Sequence, residues 1–156
     1  MPSAKVAPSL PGDAPAAEDE CTFNFINAQF LRDYGGKNLP FFQELRARHK
    51  DQIVEQTMTY TDVVQGKFRD DLLSVSHRWM QGDEPDPDGE QLKAIQEFLR
   101  EDPKGKEIKY VWMDSVSMPQ DQPKGTIKDA DKVAFKTMLA EVCAVCACNG
   151  TSVPWD

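Results

Sequence analysis

Two apolar runs, Leu72 to Trp79 (LLSVSHRW) and Ile108 to Asp114 (IKYVWMD), flank a helical stretch that opens at Asp88-Gly89. Strand, helix, strand in that order outlines a β-α-β unit, which commits this part of the chain to a sheet with a parallel pair. Open α/β sheets bind their ligands just beyond the carboxyl ends of such strands. His77, Arg78 and Trp79 fall at one of those ends and Asp114 at its neighbour. Any sharper reading of function turns on whether that rim holds a ligand.

Within the first run, alternation sends Leu73, Val75, His77 and Trp79 to one face and Leu72, Ser74, Ser76 and Arg78 to the other. The acidic loop Gln81 to Asp88 (QGDEPDPD) follows, and its prolines forbid helix or central strand. Asp88 then reads as an N-cap, with Gln91 three residues on completing a capping box. Leu92, Ile95, Phe98 and Leu99 form the buried stripe of the helix, which Asp102-Pro103 and Gly105 terminate. Its length suits a right-handed crossover to the second strand.

Before this unit, residues 21–70 read as helical and broken into short pieces. Ile26, Phe30 and Leu31 share a face until Gly35-Gly36, Pro40 opens a piece that carries Phe41, Phe42 and Leu45 inward, and Thr61-Asp62 starts a third that ends at Gly66. After the polar loop from Gln120 to Asp129, Phe135, Met138, Leu139, Val142 and Val145 recur at helical steps. Residues 71–156 thus form a small α/β domain in which only two strands are evident. Residues 1–20, rich in Pro, Ala and acidic side chains, lack the apolar content to offset the entropy of ordering and are expected to be an arm that lies extended along a neighbour.

The 156 residues suit one core. With 26 acidic against 18 basic residues and a net charge of -8, a nucleic-acid backbone is repelled. No apolar stretch approaches the roughly 20 residues of a membrane span, and the first twenty residues lack the apolar segment of a secretory signal. Three of the four cysteines (Cys143, Cys146 and Cys148; Cys21 is the other) crowd near the C-terminus. They read as reduced thiols in a cytosolic or organellar soluble compartment. Neither His49 nor His77 supplies them with a partner for a zinc site, and the loop at Asp83 to Asp88 lacks the ligand spacing of a calcium hand, so no metal is expected.

Phe25-Ile26-Asn27 with Phe30-Leu31, Val75-Ser76-His77-Arg78-Trp79, Asp86-Pro87-Asp88-Gly89 with Gln91-Leu92, Tyr110-Val111-Trp112-Met113-Asp114 and Met118-Pro119-Gln120 occur in an order that resembles one family. It is the heterokaryon-incompatibility-like proteins of algae and other protists, whose domain is similar to the TIR fold. The resemblance implies a flavodoxin-like α/β domain, used by some relatives for self-association and by others to cleave NAD. The NAD-cleaving relatives carry a glutamate in an aromatic-rich segment after a further strand. This sequence stops at Asp156, and its Glu141 lies inside the amphipathic helix pattern.

The expected fold is therefore α/β, a small, partly parallel and incomplete sheet around one β-α-β unit, with N-terminal helices on its flank. The expected function is a non-enzymatic interaction module or accessory subunit that docks on protein partners through its arm and an open sheet edge, with no cofactor and no catalytic residue. The alternative is an NAD glycohydrolase or nucleotide-binding signalling domain. There His77, Arg78, Trp79, Asp114 and Gln120 would contact the ligand: a guanidinium fork and an imidazole for phosphate, a carboxylate for ribose hydroxyls. The same polar residues could equally tie two strand ends together, and Trp79 and Trp112 could be packing side chains that find an acceptor for the indole N–H.

Overall fold

The computed structural model describes residues 20–75 and 83–137. In chain order the elements are β1 (Glu20–Asn27), α1 (Ala28–Asp33), α2 (Phe42–Arg48), a 3-10 turn (Lys50–Gln52), β2 (Ile53–Thr59) and α3 (Tyr60–Val64). There follow β3 (Leu72–Val75), α4 (Glu90–Glu101), α5 (Pro103–Glu107), β4 (Tyr110–Met113) and α6 (Asp114–Ser117). A last helix, α7, covers 129–137 of the described residues. The strands form one mixed sheet in the order β2-β1-β4-β3. Only β3 and β4 run parallel, with Leu72 opposite Tyr110 and Val75 opposite Met113.

The fold class is the expected one: a small, partly parallel sheet built around a β-α-β unit, with helices on its flanks. The helical stripe between the strands is real, since Leu92, Ile95 and Leu99 are buried. Its cap differs from the expectation. Gly89, not Asp88, is the N-cap residue, with φ of 73°, and the side chain that satisfies the first amides is that of Asp86, whose oxygens accept from Gln91 N at 3.2 Å and Leu92 N at 2.9 Å. A carboxylate there also complements the positive end of the helix. Gly89 is required for a second reason, because a Cβ on it would lie 2.1 Å from Lys37 O. Asp102, expected to end α4, also starts α5 by accepting from Lys104 N at 2.8 Å.

The helical reading of residues 21–70 is corrected in two places. Residues 20–27 are a strand, and Ile26 belongs to it while Phe30 and Leu31 belong to α1. The Asn27 side chain, accepting from Gln29 N at 2.8 Å, marks the junction. Residues 53–59 are a second strand, paired antiparallel with β1 from Glu20 opposite Thr59 to Ile26 opposite Ile53. Thr22 and Thr57 bridge hydroxyl to hydroxyl at 2.8 Å across that pair. The described sheet thus has four strands where two were evident from sequence, and strands from both sides of residue 70 share it. The short helices at 42–48 and 60–64 are where the sequence puts them, the latter held by a Thr59–Asp62 capping box.

Because side chains alternate along a strand, the sheet has two covered faces. On one, Ile26, Leu73, Val75, Val111 and Met113 meet Leu31 of α1, Leu45 of α2 and Ile95 and Leu99 of α4. On the other, Phe23, Phe25, Leu72 and Trp112 pack with Phe68 and Met118, against which Val63 and Phe135 are laid. Trp112 is 2 % exposed, a packing residue, yet its indole nitrogen finds no acceptor among the described residues, contrary to expectation. Cys21 is buried in the same cluster. The remaining cysteines, Trp79, Trp155 and the arm at 1–19 lie outside the described residues.

Arg32 locks the crossover. Its Nε donates to Leu99 O at 3.1 Å, and its Nη2 reaches Gly105 O, Ile108 O and Lys106 O at 2.8, 2.9 and 3.2 Å. In return, Gln96 on α4 donates to Leu31 O and Tyr34 O at the end of α1. Carbonyls near the helix ends, which bonds within their own helix leave wholly or partly unsatisfied, thus gain donors from a neighbouring element.

Candidate functional site

The carboxyl end of β4, which runs parallel to β3, opens into a cleft of about 340 Å³. Its floor is Met113 and Ser115, where β4 passes into α6, and Gln91 and Leu92 in the first turn of α4. One wall is the loop segment Glu84, Pro85 and Asp86. The roof comes from the connection between α1 and α2, with Asn38, Leu39, Pro40 and Phe41, and from Glu44, Arg48 and His49 along α2 and at its end. The volume lies at the lower end of the roughly 300–1,000 Å³ of small-molecule sites, and the position is the one that the parallel pair dictates.

Hydrogen bonds hold the walls together. Tyr34 Oη donates to Asn38 O at 3.2 Å, and Asn38 Nδ2 donates to Asp86 O at 3.3 Å, so the roof is tied to the acidic loop. Asp86 in turn fixes the start of α4 through its carboxylate. Gln91 is buried, and its Nε2 donates to Pro85 O at 3.3 Å. Its Oε1, shielded from solvent, has no partner among the described residues. Among the described residues the side-chain charges at the cleft are three carboxylates (Glu44, Glu84 and Asp86) and one guanidinium, Arg48, which sits 3.1 Å from Glu44. The His49 ring lies 5.0 Å from that of Phe30.

Of the residues singled out from sequence, Asp114 begins α6 immediately before Ser115, and its Oδ1 accepts from Ser115 N at 2.7 Å. Gln120 is buried and turned inward: its Nε2 donates to Asp114 O at 2.9 Å and Met118 O at 3.0 Å. Its backbone is clasped by Gln43, whose Oε1 accepts from Gln120 N at 3.1 Å and whose Nε2 donates to Gln120 O. These bonds fasten the segment after β4 to α2. Neither Asp114 nor Gln120 lines the cleft, whereas the neighbouring Ser115 does. His77, Arg78 and Trp79 lie outside the described residues.

The sequence reading did not single out Glu44, Arg48 and His49, and it took Gln91 as a capping partner. The signal for Gln91 was present, since a polar residue in the first turn of a crossover helix faces the carboxyl end of its strand pair. For the α2 residues there was none, because nothing local places that helix over the cleft. Among the described residues no cluster of His, Cys, Asp and Glu has the arrangement of a metal site, and no helix is long and apolar enough to cross a membrane. Compared with known protein families, curated proteins and solved structures, the chain matches none.

Proposed function

We propose that this chain is a non-enzymatic binding module that holds a small polar ligand in the cleft beyond β4. The observation that carries the reading is the position and build of that cleft. It lies where parallel strands expose their carboxyl ends, and polar side chains converge on it from three separate elements. Binding there would bridge the α1–α2 connection to the crossover helix, so occupancy has a route to the rest of the fold. A thermal-shift survey of sugars, nucleosides, nucleotides and amino acids tests it. At least one class should raise the unfolding midpoint, and Leu39→Trp, which fills the roof of the cleft, should abolish the effect. Failure of every class to stabilise the protein sinks the proposal. Release of nicotinamide from NAD, lost in Asp114→Ala, would instead establish the NAD glycohydrolase reading.

A second reading, docking into a protein assembly, draws on the β2 edge. Among the described residues no strand pairs with the outer side of β2. Tyr60 and Val64, on the helix that follows, are 74 % and 66 % exposed. Unpaired strand edges recruit further strands unless they are covered. On this reading, removing residues 1–19 together with Tyr60→Lys and Val64→Lys weakens association with partner proteins while the body stays folded. Unchanged co-purification counts against it.

A further inference from the structure

We infer that the cleft takes a phosphate-free ligand of nucleoside or monosaccharide size, rich in hydroxyl and N–H donors, and turns phosphates away. This rests on the binding-module reading and narrows it.

A phosphate in an α/β fold is ordinarily received by free amides at the start of the helix that follows a strand, where the helix dipole also favours negative charge. Here that place is already taken. The Asp86 carboxylate accepts from Gln91 N and Leu92 N at 3.2 and 2.9 Å, and Glu90 adds a second carboxylate to the same turn. An incoming phosphate would have to displace a tethered carboxylate and then sit beside others. Nor do the described walls compensate, because among the described residues that line the cleft the one guanidinium, Arg48, is paired with Glu44 at 3.1 Å.

The complement of such a lining is a donor. Ionised carboxylates only accept hydrogen bonds, and Glu44 and Glu84 are both exposed on the cleft's sides. Gln91 adds a further acceptor at the cleft floor. It is 8 % exposed, its amide nitrogen is committed to Pro85 O, and its Oε1 is screened from water and has no partner among the described residues. A buried acceptor left without a donor carries an unrecovered desolvation cost. The terminal torsion of a glutamine is soft, so a small turn of the amide meets a donor delivered from the cleft and recovers that cost on binding. The volume of about 340 Å³ suits one ring or two and is too small to enclose a dinucleotide.

Calorimetric titration of the full chain with adenosine, glucose, AMP and inorganic phosphate tests this. Saturable binding of adenosine or glucose is expected, with AMP at least tenfold weaker than adenosine and no heat from phosphate. Gln91→Leu should weaken the donor ligand at least fivefold while the circular dichroism spectrum is retained. Asp86→Asn, which removes the charge and keeps one acceptor for the helix amides, should narrow the gap between adenosine and AMP. If AMP or phosphate binds as tightly as adenosine, the exclusion of phosphate is wrong and the binding-module reading survives. If none of the four binds, the donor-ligand inference falls, and the binding-module reading falls with it only when every class of the wider thermal-shift survey also fails. Equal affinities for wild type and Gln91→Leu would remove Gln91 from the site.

Discussion

Replacing Arg32 by Met keeps the aliphatic stem and removes every donor, which isolates what the guanidinium does at the crossover. Four carbonyls depend on it: Leu99 O at 3.1 Å through Nε, and Gly105 O, Ile108 O and Lys106 O at 2.8, 2.9 and 3.2 Å through Nη2. A hydrogen bond from a charged donor contributes about 1.5–3 kcal/mol net. The sum is smaller than four times that, because Nη2 has two hydrogens for three carbonyls and the Lys106 contact is open to water, which replaces the lost donor there. Three bonds at part-buried carbonyls, taken at the low end of that range, give about 4–5 kcal/mol, a large share of the roughly 5–15 kcal/mol that holds a domain together. Urea unfolding followed by tryptophan fluorescence should therefore show a lower midpoint with an unchanged slope. The loss should depend only weakly on salt, since the partners are carbonyls rather than carboxylates. Arg32→Lys should recover little, because one ammonium cannot span carbonyls of α4, α5 and the entry to β4 at once. A loss below about 0.5 kcal/mol, within the range of ordinary surface changes, would refute the claim that this side chain locks the β-α-β unit.

Gly105→Ala should destabilise by at least about 1–3 kcal/mol, the usual range for overpacking. A Cβ there would lie 2.0 Å from Phe98 O and 2.7 Å from Phe98 C, backbone atoms with no side-chain freedom to give way; an unchanged melting midpoint would contradict the packing of α5 on α4. Two carboxylates, the half-buried Asp62 and the exposed Asp121, should titrate below the ordinary aspartate value: Asp62 chiefly through its hydrogen bond with Lys67 and then with Thr59 N, and Asp121 chiefly through the backbone amide of Ile127 and also that of Gly125. A carboxylate whose folded pKa is depressed adds stability that is complete above its unfolded value and is lost as pH falls through the folded one. Stability should accordingly decline on acidification through that window and less so in Asp121→Asn. NMR titration of both carboxyl carbons checks the direction, and midpoints at or above the ordinary value would contradict it.

How much of this fold was legible depended on how local the signal was. The stripe Leu92, Ile95, Leu99 follows the helical period and needs no partner to be recognised, and the parallel pair around it shows as two short apolar runs. β1 was misread because it is central. Asn24, Phe25 and Ile26 are all buried, so the alternation that marks a strand with one wet face is blurred, and the spacing from Ile26 to Phe30 and Leu31 crosses a strand-to-helix junction while mimicking one helical face. β2 was missed for the opposite reason: as an edge strand it is half exposed, and its pattern IVEQTMT alternates only weakly. For the candidate cleft, the sequence pointed to the carboxyl ends of the parallel pair, but it considered the acidic loop only as lacking the spacing of a calcium hand and held no sign of the residues of α2 that roof the cleft.

What the sequence determined by itself is whatever depends on neighbours within a few positions: the crossover helix, the caps at Asn27, Thr59 and Asp102, and the turn that needs Gly89. Tertiary structure decided the rest. It joined β1 to β4 and β2 across long separations, fastened the backbone of Gln120 to Gln43 of α2, and set α2 over the carboxyl end of β4. The reason is physical. Capping and helical periodicity are satisfied by bonds between residues close in the chain, whereas strand pairing and cleft formation bury surfaces whose partners are known only once the whole core has closed.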